Sequence, residues 1–509
     1  MGLRSWLAKT YPGLAPRPKA SFEGARRGRL TADFFAAETS ADAEIKGSLV
    51  ALRNSARVLA RDNPHARAIK RTYRINIFGS RGIRLQPQVK RIETGDLSER
   101  HNELIDSEWK KWCRKDACDV AGLNTLHAFE LDIASAFVDS GEVFFRIVRG
   151  RRFGRSGVPL ALEIIEADHL DVDCNDLSDR PGHYWRLGIE HNEWNRPTRY
   201  KFLKRHPGDY ELGRQLRDNE KYMILPASDV IHVYGVRERV GQTRMEPILT
   251  PIITTSWNLQ QYRKTHLIRK RVQAAQMGWI MTPDGMFQGD ETDVNGRPII
   301  NTEPGQYNRL DPGETVQQPQ FGPDDGQYDV VTKTHIRDEA TGVGCSYATI
   351  SKDYSDANYS SLKISTSEDR DWWQVLQTSV IEQFHQRVYE EWLYAAVMSG
   401  VLPSPTFDDY WFCPDRYNAP RWQARSWSAL DPAKEMKARR EERELQLKTH
   451  SQQLMEDSGE EFIDTMERIA YEKKYKEDRE LLMPIDDPDA DKQPAATPPM
   501  SGDLPEKAE

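Results

Sequence analysis

No stretch of the 509-residue chain approaches the roughly 18–20 uninterrupted apolar residues that span a bilayer, so no membrane-embedded part is expected. The opening, MGLRSWLAKTYPGLAPRPKA, is basic but has no apolar run of the kind a secretory signal carries. Trp6 stands where a myristoylation site needs a small hydroxyl residue, and a cytosolic protein is expected. Cysteine is scarce. Cys113, Cys118, Cys174, Cys345 and Cys413 are too few and too scattered for a disulfide framework. Cys113 and Cys118 have His101 and His127 nearby in sequence, but there is no CxxC spacing and no second ligand pair. Isolated thiols are expected there, not a zinc site.

Catalytic signatures are also missing. There is no GxxxxGKS/T and hence no motor ATPase, and neither HExxH nor GxSxG occurs. Gly342-Val-Gly344 is too short to cradle a nucleotide and reads as a helix stop followed by a turn. Excess positive charge is the last absence: 71 Lys and Arg stand against 79 Asp and Glu, a net charge of −8. A protein that grips DNA usually carries a basic stripe, because each neutralised phosphate releases counterions. An acidic chain argues against a repressor or a tightly gripping nuclease. It remains compatible with a surface along which a polyanion slides through weak, replaceable contacts.

What is present is a chain with 38% hydrophobic and 29% charged residues, long enough for two or three domains or one elongated subunit. Thirteen tryptophans are prominent. Trp109, Trp112, Trp372, Trp373 and Trp392 lie in charged helical stretches, and large contact surfaces between neighbours are expected from them.

Residues 1–40, rich in Arg, Pro, Gly and Ala, read as a flexible basic arm. Residues 41–245 read as α+β. Leu49, Leu52, Ala56, Leu59 and Ala60 recur at helical spacing, and Asn63-Pro64 marks a restart. Helices are expected over 97–118 and 124–139, with strands over 141–149, Leu160–Asp173, Tyr184–Ile189, Thr198–Phe202 and Val230–Tyr234. A long helix over Glu246–Gln276 would hold Pro247 and Pro251 in its first turns and run on the order of 40 Å. Residues 277–331, dominated by Gly, Pro, Asp and Gln, read as a small protruding subdomain. A helix over 332–346 is followed by a polar segment at 347–360. A second long helix then runs over about 361–399, with Trp373, Leu376, Val380, Phe384, Val388 and Trp392 on one face. Residues 431–483 are charged and helix-forming, and the acidic, Pro-rich end at 484–509 is expected to be disordered.

Two clusters admit chemistry. Glu163, Glu166, Asp168, His169, Asp171 and Asp173 would put His169, Asp171 and Asp173 on one face of a strand, where a divalent ion can bridge them. The favoured alternative is a charged strand edge that discourages sheet pairing, with no metal. Arg269, Lys270 and Arg271 are either a solvated helix face or, multiplied by symmetry, a belt of cations facing DNA or an acidic neighbour. His232 and His385 fall on apolar faces and are expected to be satisfied core residues.

Four blocks in order resemble the lambda family of phage portal proteins. They are ARVLARDNPHARAIKRTYRINIFGSRGIRLQPQV, then PASDVIHVYGVRERVGQTRMEPIL, then YATISKDYSDANYSSLKIS, and finally EEWLYAAVMSGVLP with LDPAKEMKA. Lys363 stands where the third block often has arginine, which keeps the charge and loses the bidentate fork. The resemblance implies an α+β portal fold assembled as a homo-oligomeric ring, typically of twelve subunits, at one capsid vertex. It implies a wing (41–245), paired stem helices (246–276 and 332–346) and a clip (277–331). It further implies a DNA-tunnel loop (347–360), a long helix returning to the wing (361–430) and a helical crown (431–483).

The implied function is a conduit for double-stranded DNA, without sequence specificity. The implied partners are the large terminase subunit, the major capsid protein and scaffold, and head-completion proteins. Localisation would be the virion, with assembly in the host cytoplasm. Neither a cofactor nor an enzymatic activity is implied. In the tunnel loop the residues placed against DNA are Lys352, Asp353, Tyr354, Asp356, Asn358 and Tyr359. The competing readings are another virion structural protein, such as a head-tail adaptor, and a metal-dependent nuclease using the 163–173 carboxylates.

Overall fold

The computed structural model describes residues 38–92, 95–151, 153–209, 221–274, 327–355, 357–403, 406–427, 432–458 and 462–478, together with four short strands between 279 and 317. The basic arm before residue 38, most of 277–331, Asp356 and the acidic end lie outside the described residues.

The chain opens with three helices, α1 (Ala41–Lys46), α2 (Leu49–Asp62) and α3 (Pro64–Phe78). Asn63 ends α2 and caps α3: its side chain accepts from the His65 and Ala66 amides, and Pro64 takes the first helical position. Strand β1 (Arg84–Pro87), α4 (Glu99–Trp112) and α5 (Leu126–Asp139) follow. Next come β2 (Glu142–Arg149), β3 (Leu160–Glu166), β4 (Tyr184–Arg186), β5 (Ile189–His191), β6 (Pro197–Leu203), β7 (Tyr222–Pro226) and β8 (Val230–Tyr234). Strands β3, β2 and β8 form one antiparallel sheet in that order, and β4 to β7 form an antiparallel meander.

Period-two alternation on β2 joins two cores. Val143, Phe145 and Ile147 face the main helical core, while Phe144 faces a smaller cluster with Tyr200, Phe202 and Leu225 of the meander. Strand β3 stops at Glu166, short of the expected Asp173, because Ala167–His169 turn as a 3-10 helix.

The first long helix, α6 (Ile253–Ala274), begins seven residues later than its apolar pattern suggests. The reason is competition for amides. Met245 N donates to Glu142, and Ile248 N and Leu249 N donate to the carbonyls of Phe137 and Val138 at the end of α5. The segment before α6 therefore serves as the cap of α5. A Cβ on Gly141, whose φ is +85°, would lie 2.3 Å from Met245 O, so this close approach requires glycine.

Beyond α6 lie β9 (Trp279–Met281), β10 (Glu291–Thr292), β11 (Pro298–Ile299) and β12 (Thr315–Gln317), paired β9 with β12 and β10 with β11. Helix α7 (Gln327–Gly342) starts five residues earlier than expected and returns along α6. Then come α8 (Tyr347–Ser351) and α9 (Tyr359–Val380). A π-turn at Ile381–His385 leads into α10 (Gln386–Met398). The chain continues with α11 (Pro414–Tyr417), β13 (Pro420–Gln423), α12 (Pro432–Glu444), α13 (His450–Ser458) and α14 (Phe462–Asp478), with β13 pairing to β1.

The tryptophans correct an expectation. Trp109, Trp112, Trp373 and Trp392 are buried within the chain, and Trp109 packs edge-on to Trp392 at 5.1 Å. Trp372 is half-buried against Tyr73. Their wide rings fill the space where α4 and the α9–α10 spine converge, so they build the core and not a contact surface between neighbours.

Charges also hold this region together. Glu142 is fully buried and accepts from Arg53 Nη2 (2.6 Å), Arg244 Nε, His232 Nε2 (2.8 Å) and Met245 N (3.2 Å). The two guanidiniums turn their other nitrogens to the carbonyls of Ser140, Ala167 and Leu187. These neighbours outweigh burial and hold the Glu142 carboxyl far below its ordinary range, while burial beside Arg244 lowers Arg53 to about 10.

Candidate functional site

A glycine turn at Gly342–Gly344 and the turn leaving α8 bring the ends of α7, α8 and α9 together. Gly342 ends α7 against Ile252, and Gly344 turns in the left-handed region at φ +66°. Tyr73 Oη donates to Val343 O (2.7 Å), and Trp372 Nε1 donates to Tyr73 Oη (3.3 Å). Asp369 on α9 then grips the start of α8. Its carboxylate accepts from Ser346 N (2.8 Å), Ser346 Oγ (2.7 Å) and Thr349 Oγ1 (2.7 Å). Asp369 is buried, so these three donors replace the water it gives up.

The turn leaving α8 presents an exposed surface. Lys352 adopts the left-handed conformation at φ +59° and is exposed. Asp353 folds inward: it accepts from Ser355 N (3.0 Å), Ser355 Oγ (2.7 Å) and Tyr347 Oη (3.0 Å), with Lys333 Nζ 3.8 Å away. The Ser355 hydrogen bonds, foremost, hold Asp353 down to about 2. Tyr354 is 55% exposed. Asn358 closes the turn by capping α9: its side chain accepts from Ser361 N (2.8 Å), and Ser361 Oγ accepts from Asn358 N (3.1 Å). The six residues grouped from sequence therefore separate by role. Lys352 and Tyr354 point out, Asp353 and Asn358 shape the turn, Tyr359 begins α9, and Asp356 lies outside the described residues.

Asp369 was not legible as part of this site. Only its place on the inner face of α9, among residues otherwise apolar, signals a buried acceptor.

Of the basic run on α6, Arg269 and Lys270 are half-buried and Arg271 is exposed. Helices α6 and α7 are joined by a Tyr262–Tyr328–His266 stack, with His266 and Tyr328 centroids 4.2 Å apart, and by Ser256 Oγ donating to Glu339 (2.8 Å). Burial pushes the Glu339 carboxyl upward. Arg263 Nη1 donates to His65 Nε2 (3.1 Å), and burial together with Arg263 lowers His65, which keeps it a neutral acceptor.

The acidic segment does not share a strand face. Asp171 pairs with Lys201 (3.1 Å), His169 bonds the Leu203 carbonyl (2.8 Å), Asp173 is exposed and Glu163 faces Arg146 (3.3 Å). Glu166 and Asp168 converge instead with His206, which sequence spacing did not suggest. Arg57 contacts both carboxylates, at 3.0 Å for Glu166, and Arg53 lies 3.7 Å from Asp168. Guanidinium charge already faces these carboxylates, and the arrangement is an ion-pair cluster.

Cys113 and Cys118 are not brought to His101 or His127. The histidines bond Thr406 O and Glu130, and burial raises both thiols. His232 is satisfied by Glu142. His385 is fully buried 3.2 Å from Glu130, with both ring nitrogens outside hydrogen-bonding geometry.

Residues 27–377 match the family model described as phage portal protein, lambda family. A probable portal protein of Halomonas phage phiHAP-1 is 27% identical over 435 residues, covering 83% of this chain and 80% of the relative. Among solved structures, the neck of a native gene transfer agent particle computed with C12 symmetry aligns with TM-score 0.41 at 12% identity, over 81% of this chain and 93% of the other. An HK97-family phage portal protein from Corynebacterium diphtheriae aligns with TM-score 0.31 at 11% identity, over 79% of this chain and 99% of the other. The family match spans well over half of the sequence, and it includes the α2–α3 block, the β8 block and the braced turn. The chain belongs to the lambda family of phage portal proteins, structural and non-enzymatic components of the virion.

Proposed function

We propose that this chain forms a cyclic ring of about twelve copies at one capsid vertex. Double-stranded DNA would enter through this ring during packaging and leave through it during ejection. Family membership supports the ring. In this reading α6 and α7 are the paired stem helices, the strands between 279 and 317 belong to the clip, and residues 41–245 form the wing. Helices α12 to α14 form the crown. The clip docks the large terminase subunit during packaging and head-completion proteins afterwards. The major capsid protein and scaffold meet the ring in the host cytoplasm as the head assembles.

The observation that carries the reading is the braced turn at 352–358. Asp369, Tyr73 and the Asn358 cap fix its base, while Lys352 and Tyr354 remain free to touch a passing duplex. A single lysine per copy, repeated around a ring, meets phosphates without reading sequence. Its grip stays weak because the chain as a whole carries −8. No P-loop is present, so the force must come from a separate ATPase.

The test compares virions carrying Lys352→Ala and Tyr354→Ala with wild type for DNA retained after packaging. Lower retention with unchanged ring assembly is expected. Normal retention in both variants would remove the role given to this turn.

A further inference from the structure

Two exposed helical stripes in this chain have the same residue spacing and opposite charge. On α6, Trp257, Gln261, Lys264 and Ile268 follow one another at steps of four, three and four, which places them on one face. On α9, Ile364, Glu368, Asp371 and Val375 repeat the same steps. The apolar ends of both stripes are uncovered: Trp257 is 57% exposed, Ile268 58%, Ile364 62% and Val375 50%. Between those ends α6 offers an amide and an exposed lysine, and α9 offers two exposed carboxylates.

Lys264, Glu368 and Asp371 form no ion pair among the described residues. Each stripe spans eleven residue steps from end to end, about 16 Å at the helical rise of 1.5 Å per residue.

The α6 stripe also borders a groove. Asn54, Ser55 and Val58 of α2 form one wall, and Thr254, Trp257 and Lys264 form the other, around a cavity of about 630 Å³. Val58, at 51% exposed, and Trp257 make its walls apolar, and Asp62, which also lines it, is paired with Arg61 at 2.8 Å. A helix with apolar residues at its ends and acids in the middle fits such a groove, because its carboxylates meet Lys264 while its apolar residues cover Trp257 and Ile268. The two stripes stay exposed, so they do not cover one another within a chain. A cyclic assembly requires two different faces that complement each other between copies.

We propose that the α2–α6 groove of one copy receives the Ile364–Val375 stretch of α9 from the next copy. This proposal rests on the ring reading above and assigns one of its contacts. Because the spacings are identical, two alignments are possible. Running parallel, Lys264 meets Asp371; running antiparallel, it meets Glu368.

The test uses the full chain and native mass spectrometry with negative-stain imaging. Wild type is expected to form rings. Lys264→Glu and Trp257→Asp are each expected to lower the ring fraction at least tenfold at equal concentration. Adding Asp371→Lys or Glu368→Lys to Lys264→Glu is expected to restore rings in one of the two combinations, which also fixes the direction of packing. In a Cys413→Ser background, Ile268→Cys combined with Ile364→Cys or Val375→Cys is expected to give oxidant-dependent chains of linked copies in the matching pair. Rings that survive both single variants, or a charge reversal that neither partner restores, would overturn this contact and leave the ring standing. A wild-type chain that stays monomeric would overturn the ring reading and this contact together.

Discussion

Replacing Asp369 by alanine tests how the turn between α8 and α9 is held. The carboxylate accepts three hydrogen bonds, from Ser346 N, Ser346 Oγ and Thr349 Oγ1, all between 2.7 and 2.8 Å. A hydrogen bond to a charged acceptor contributes about 1.5–3 kcal/mol, and a buried donor left alone costs about 1–3 kcal/mol. The Ser346 and Thr349 hydroxyls still bond each other at 2.8 Å, so the losses do not add in full. A net loss of about 3 kcal/mol is expected, confined to α8 and its turn.

Hydrogen exchange reads this directly, because 1.36 kcal/mol is a factor of ten. The Thr349, Ile350 and Lys352 amides, which bond back to Ser346 and Ala348, should exchange on the order of 150-fold faster than in wild type. The Phe145 amide in β2 should not change. Asp369→Asn, which retains one acceptor, should fall between the two. Exchange of those three amides within threefold of wild type in the alanine variant would refute the brace.

Other consequences follow from the buried charges and close contacts. Arg244→Met breaks a fully buried pair while Glu142 keeps its burial, so denaturant unfolding should show a loss of about 3–5 kcal/mol. Burial, the largest single influence, would raise the Glu190 carboxyl, but hydrogen bonds from Arg199, Ser178 and Thr198 together outweigh it and hold the group at about 2. A depressed folded value contributes stability above the unfolded value near 4.5 that is lost as pH falls toward 2. Wild-type Tm should therefore drop between pH 5 and pH 2.5 more steeply than that of Glu190→Gln, and parallel curves would contradict the assignment. Gly141→Ala places a Cβ 2.3 Å from Met245 O at φ +85°, and its soluble yield or Tm should fall sharply. Tyr73→Phe removes the bond to Val343 O and should cost about 1 kcal/mol in an unfolding titration.

Much of the helical frame was legible because apolar period and capping chemistry agree. Asn63-Pro64 marks the α2–α3 boundary since asparagine caps and proline begins a helix, and the structure uses both. The run Leu376, Val380, Phe384, Val388 and Trp392 was legible as one face, but its meaning was not. Four successive steps of four over-rotate an α-helix by about 160° in total. The wider π-turn at Ile381–His385 absorbs part of that excess, so all five side chains stay buried. Strand β7 escaped notice because Tyr-Met-Ile-Leu-Pro lacks period-two alternation.

The start of α6 was misplaced because amides at 245–249 bond to Glu142 and α5, partners more than a hundred residues away that no local pattern shows. The Glu142–Arg53–Arg244 cluster is non-local in the same way. A faint signal existed: Arg53 falls in line with Leu49, Ala56 and Ala60 on the buried stripe of α2, where an unpaired cation would be costly. For the site, the polar turn was found through its resemblance to a family block, while the division between outward Lys352 and Tyr354 and inward Asp353 and Asn358 required the hydrogen-bond pattern.

The claim at the centre of this account is that copies of the chain close into a ring around an open channel. Single-particle imaging of the purified full-length protein tests it most directly. The account predicts closed rings of about twelve copies, with an axial opening wide enough for duplex DNA and the 352–358 turns lining it. Monomers alone, two-fold closed oligomers, or rings whose axis is filled would contradict it.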